Sequence, residues 1–184
     1  MINLKGGVVM KRYAIVYFSH TGNTQRIAYA LHRKLPSDLF HIIVKKPYTT
    51  EYICQLEGSK VDVTTKSFQD YEGIILCTPI WWFGIAAPVK AFLNKQVLSI
   101  ENMIVFCIHG GYGIGHSKQD ILSICRNLKH IAFFEVPFHL RKMAIPYIQF
   151  TQMIKTIQKE EVKYDENTYI FDTVSTGITR SNKV

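Results

Sequence analysis

The sequence predicts a doubly wound α/β domain, a parallel sheet with helices on both faces, and three observations carry that expectation. Its strand-like segments are continuous apolar runs rather than alternating ones, the pattern of strands buried on both faces. Segments with helical spacing lie between them, as parallel strands require a crossover. The chemically unusual stretches each follow a strand, which gathers them on one edge of the sheet.

Tyr13-Ala14-Ile15-Val16-Tyr17-Phe18 reads as the first strand. Ile27, Leu31 and Leu35 then recur every four residues beside Ala28, one apolar helix face that Pro36 terminates. Phe40 to Val44 and Gly73 to Cys77 read as the second and third strands. Pro88 to Val97 reads as a helix with Val89, Phe92 and Leu93 inward. Met103 to Ile108 is the fourth strand, Ser117 can cap a helix carrying Ile121, Leu122, Cys125 and Leu128, and Ile131 to Val136 is the fifth. Pro146 to Val162 reads as a final helix. Residues 46–70 are long for one connection and offer only a weak helix, and 163–184 is a polar tail except for Tyr169-Ile170-Phe171. Residues 1–11 read as an N-terminal extension, with Met10 a natural start for the domain that runs over 12–162.

A chain of 184 residues, 47% hydrophobic, can bury one full core. Its apolar stretches of about six to nine residues fall well short of a bilayer span, and no signal-peptide layout opens the chain, so a cytoplasmic protein with no membrane association is expected. Cys54, Cys77, Cys107 and Cys125 form no Cys-x-x-Cys pair, so neither disulfides nor a metal site are expected. The net charge of +8 is spread over scattered basic pairs, Lys11-Arg12, Arg33-Lys34, Lys45-Lys46 and Arg141-Lys142, rather than a run, which disfavours nucleic acid as a partner.

Three loops carry the chemistry. Ser19-His20-Thr21-Gly22-Asn23-Thr24 sets hydroxyls, a carboxamide and a glycine between a buried strand and a helix start with no Lys or Arg among them. It is a neutral anion cradle suited to a terminal phosphomonoester, because helix N-terminal N–H groups and hydroxyls donate there. A plain helix-capping loop would use the same residue types. Thr78-Pro79-Ile80-Trp81-Trp82-Phe83-Gly84 puts both tryptophans of the chain in a turn beyond a strand, where an indole can stack on a planar heteroaromatic ring. One indole is expected to pack under the loop and the other to stack, with Trp82 favoured over Trp81. His109-Gly110-Gly111-Tyr112-Gly113-Ile114-Gly115 holds four of the eleven glycines, which let backbone wrap a ligand edge. Tyr112 would close the opposite face of a ring or stand in solvent, and His109 would donate to the ring or serve the structure.

Other phosphate chemistries lack their parts. No Gly-x-x-x-x-Gly-Lys occurs, and a Gly-x-Gly-x-x-Gly fails because positions 116 and 118 are His and Lys. The first loop has neither a cysteine nucleophile nor a phosphoacceptor aspartate.

Phe18 to Thr24 resembles the FMN phosphate loop of flavodoxins and flavodoxin-like oxidoreductases. Tyr71 to Trp82 followed by Pro88-Val89-Lys90-Ala91-Phe92-Leu93 is similar to the second flavin-contacting segment of that family, and Gly110 to Gly115 to its third. The resemblance covers roughly residues 12–130 and implies a five-stranded sheet of order 2-1-3-4-5 with FMN at the ends of strands one, three and four. It fades past Val136. The chain also departs from the acidic character typical of electron-carrying flavodoxins, and a positive surrounding should favour reduced, anionic flavin.

Three functions follow from the resemblance. The first is an electron carrier that exchanges electrons with a redox partner protein. The second is an NAD(P)H-dependent quinone reductase in which a small electron acceptor uses the same flavin face, as a monomer or homodimer. The third is a binding domain that has lost its flavin.

Overall fold

The computed structural model describes residues 12–44, 68, 70–96 and 101–137. The extension 1–11, nearly all of 46–70, the helix expected over 146–162, the tail 163–184 and Cys54 lie outside the described residues.

The elements follow in the order β1 (Tyr13–Tyr17), α1 (Asn23–His32), β2 (Ser37–His41), β3 (Gly73–Trp81), β4 (Gly84–Ile85), α2 (Ala87–Gln96), β5 (Asn102–His109), α3 (Ser117–Ile124) and β6 (His130–Pro137). The sheet runs β2-β1-β3-β5-β6, all parallel, with the two-residue β4 added antiparallel to β3. With β4 set aside this is the order 2-1-3-4-5 that the resemblance implied. Among the described residues no helix is long and apolar enough to cross a membrane.

The continuous apolar runs are explained by two cores, one on each face of the sheet. Ala14, Val16, Ile74, Leu76, Met103 and Val105 point to one face, where Val89, Phe92 and Leu93 of α2 and Ile121 of α3 cover them. Ile15, Tyr17, Ile75, Cys77, Ile104 and Phe106 point to the other, under Ala28 and Leu31 of α1. Alternate side chains of one strand thus enter opposite cores, so between the ends of β1 and β5 no position is left for a polar residue. Each fully buried Ile, Leu or Phe here contributes roughly 1.5–3 kcal/mol.

Several boundaries differ from expectation. α1 ends at His32, leaving Leu35 beyond it, and α3 ends at Ile124, short of Cys125 and Leu128. Ser117 is the first residue of α3 rather than its cap, because its hydroxyl donates to the Ile114 carbonyl at 2.6 Å. β2 begins three residues before Phe40, because the Pro36 carbonyl already accepts the Tyr13 N–H at 3.1 Å and Ser37 pairs with Tyr13. Of the apolar Ile42-Ile43-Val44, only Ile42 is buried, its N–H donating to the Tyr17 carbonyl at 2.8 Å, while Ile43 is exposed. β3 does not stop at Cys77. Thr78 and Pro79 stay in register with Cys107 and Ile108 of β5, and Ile80 and Trp81 pair with β4. The second loop is therefore a strand extension closed by a hairpin, and only Trp82-Phe83 form the turn.

Candidate functional site

Loop one leaves β1 at Phe18, whose N–H donates to the Cys77 carbonyl at 3.3 Å, and enters α1 through Gly22. Gly22 is left-handed, φ 85°, and occupies the position that caps the helix, with no side chain capping it. The cap residue is thus the one without a side chain, and the first-turn N–H groups of α1 have no capping side chain to accept from them. Among the described residues a Cβ on Gly22 would meet nothing within 4 Å, so the space beside Gly22 is open. The hydroxyl of Ser19 is buried and makes no hydrogen bond among the described residues. An unpartnered buried hydroxyl costs about 1–3 kcal/mol, so its presence beside a helix N-terminus is a feature to be explained. Thr24 is buried, Thr21 and His20 are exposed, and the Asn23 amide donates to Thr21 Oγ1 at 3.1 Å.

Loop two separates its two indoles. Trp81 is half-buried, packs on the first core, and meets Phe18 edge to face at 5.6 Å and His20 at 6.2 Å between ring centroids. Trp82 projects outward, 75% exposed, beside Phe83 at 56%. Both turn residues are left-handed, at φ 50° and 61°. Two-residue hairpins of this hand normally use Asn-Gly, because side chains with a Cβ are disfavoured at positive φ. Thr78 is fully buried, its hydroxyl donating to the Pro79 carbonyl at 3.0 Å, and Pro79 and Ile80 are half-buried in β3. Gly84 lies inside the protein, where a Cβ would come within 2.6 Å of Asp120 and His116.

Loop three closes against loop two. The His116 N–H donates to the Phe83 carbonyl at 2.7 Å, and a Cβ on Gly115 would lie 2.1 Å from that same oxygen. Tyr112, 83% exposed, meets Phe83 edge to face at 6.5 Å. Gly110 and Gly111 are exposed, and Gly111, Gly113 and Gly115 all have positive φ. His109 is turned inward rather than outward: its Nδ1 accepts the N–H groups of Gly111 and Gly113, and Nε2 lies 3.5 Å from Glu135 Oε2. All three loops thus meet on the carboxyl edge, loops one and two through Trp81, loops two and three through Phe83.

Asp120 escaped sequence reasoning. From α3 its Oδ2 accepts the Ile85 N–H at 3.2 Å, pairs with Lys90 of α2 at 3.0 Å and stands 3.6 Å from His116. It ties the hairpin to two helices. The four-residue spacing from His116, which precedes α3, to Asp120 in its first turn was the available signal. The described cysteines, Cys77, Cys107 and Cys125, are buried free thiols. Burial pushes all three thiols up, Cys125 to about 11, with Glu135 adding to the effect at Cys107.

A five-stranded parallel sheet of this order, with three loops meeting at its carboxyl edge, defines a flavodoxin-like α/β protein. Comparison with known proteins agrees: residues 51–133 match the family model described as Flavodoxin. A candidate flavoprotein of Bacteroides uniformis superposes with a TM-score of 0.61 at 17% identity, over 79% of this chain and 99% of that one. A flavoprotein of Lactobacillus acidophilus, solved in complex with FMN, gives 0.59 at 14% identity, over 72% and 97%. A candidate flavoprotein of Bacteroides eggerthii gives 0.57 at 20%, over 78% and 98%. No curated protein sequence matches the chain.

Proposed function

We propose that the protein binds FMN across the three loops and carries electrons through it to and from a redox partner protein. The observation that carries this reading is the Ser19 hydroxyl, which among the described residues is buried without a partner, just before an α1 N-terminus that no side chain of theirs caps. A phosphate there would accept from both, satisfying groups that a mere capping loop would have satisfied internally. Loop one holds no Lys or Arg, so recognition would rest on hydroxyl, amide and backbone donors and the helix dipole. The complex of the Lactobacillus acidophilus flavoprotein with FMN supports the same choice of ligand.

The residues present fit the cofactor. Ser19, Thr21, Asn23 and the first turn of α1 would bind its phosphate, and the projecting Trp82 would orient its ring, with Tyr112 on the neighbouring loop shielding the far side from water. Trp81, packed on Phe18, would support the ring site from beneath. FMN supplies one- and two-electron redox chemistry when bound, and this chain's residues supply position and surroundings. No side-chain acid or base is required for a carrier.

The test is an absorbance spectrum of purified protein with added FMN after free flavin is removed by gel filtration. A retained, perturbed flavin spectrum is expected, and a colourless protein would overturn the reading. Asn23→Leu should weaken binding by about tenfold or more by obstructing the phosphate cradle, with stability held within about 0.5 kcal/mol. Turnover of NADPH with a quinone would replace the carrier by the reductase.

A further inference from the structure

We propose that His109 is a positioning residue, which holds the glycine-rich loop 110–115 in its ligand-ready shape by accepting two of that loop's own N–H groups at Nδ1. The inference rests on the FMN reading for its functional consequence and on geometry for the brace itself.

The Gly111 and Gly113 N–H groups converge on Nδ1 at 3.1 and 3.2 Å. An imidazole nitrogen that accepts carries no proton, so the neutral ring holds its proton on Nε2. That nitrogen faces Glu135 Oε2 of β6 at 3.5 Å. The ring is only 7% exposed and stands at the end of β5, whose backbone is fixed between β3 and β6. A rigid strand end therefore grips the first half of a glycine-rich loop: Gly111 and Gly113 sit at φ 113° and 74°, and glycine loses more freedom on ordering than any other residue. Two backbone donors are anchored to a single lone pair, two and four residues ahead. The consequence passes to the second loop, since Gly115 and His116 seat the Phe83 carbonyl. His109 thus acts on the ring site through the loops rather than by touching a ligand.

The amide oxygen of asparagine falls near the place of Nδ1, whereas glutamine carries its amide out to the place of Nε2. His109→Asn should therefore rescue the brace and His109→Gln should not. FMN affinity is expected to stay within about threefold in His109→Asn and to fall about tenfold or more in His109→Gln. Independently of flavin, long-range proton–nitrogen NMR of the FMN-free protein should find Nδ1 unprotonated. Amide exchange at Gly111 and Gly113 should be slowed, and the protection lost in His109→Gln. A protonated Nδ1, unchanged exchange in His109→Gln, or a folded His109→Asn that loses FMN as fully as His109→Gln overturns the proposal. If the parent protein takes up no FMN, the proposed function fails while the tautomer and exchange measurements still decide the brace.

Discussion

Replacing Trp82-Phe83 by Asn-Gly should stabilise the FMN-free protein while weakening its hold on FMN. The turn places two bulky side chains at φ 50° and 61°, a conformation that disfavours a residue with a Cβ by roughly 1–2 kcal/mol each. Asn-Gly is the pair that this turn prefers, so roughly 2–4 kcal/mol of strain is relieved. Against that stand the Phe83–Tyr112 edge contact, about 0.5–1.5 kcal/mol, and the added unfolded-chain freedom of glycine, about 0.5–1 kcal/mol. Little burial is forfeited, since Trp82 and Phe83 are 75% and 56% exposed. The balance is a gain of about 1 kcal/mol, read as a Tm higher by about 2–4 °C and a higher urea midpoint at unchanged slope. FMN titration should report affinity about tenfold weaker through loss of the indole. A lower urea midpoint in the FMN-free double variant would refute the strain argument, and unchanged FMN affinity would refute the role given to Trp82.

Three further outcomes follow from the same geometry. Ser19→Ala should raise stability without FMN by about 1 kcal/mol, by removing an unsatisfied hydroxyl, and lower FMN affinity; paired urea and FMN titrations measure both signs. Gly115→Ala should cost more than about 3 kcal/mol because its Cβ would strike the Phe83 carbonyl, whereas Gly22→Ala, at φ 85° in open space, should cost only about 1 kcal/mol; denaturant midpoints separate them. Burial raises the pKa values of Cys77, Cys107, Cys125 and Tyr17, so each group's folded-state value lies above its unfolded one. Their contribution is complete below pH about 8.5 and is lost as pH rises through the folded values, so stability should fall in alkali; thiol reagents at pH 8 should label the native protein at these cysteines only on unfolding.

The strands and their double burial were legible in sequence because a strand covered on both faces has no position for a polar residue, and β1, β5 and β6 were located to within a residue or so. That the three loops share one edge was legible because stretches that follow parallel strands must lie on one side of the sheet. β2 was displaced because a short edge strand, covered incompletely, obeys its pairing with Tyr13 more than its own hydropathy. The separation of Trp81 from Trp82, the inward turn of His109 and the tether from Asp120 depend on contacts between residues far apart in the chain. Local periodicity specifies which residues are buried, since burial follows from the repeat of the backbone. It cannot specify which partner a buried or turned side chain meets: that Phe83 is seated by Gly115, and that His109 comes to lie 3.5 Å from Glu135, was decided only when the sheet brought their strands and loops together.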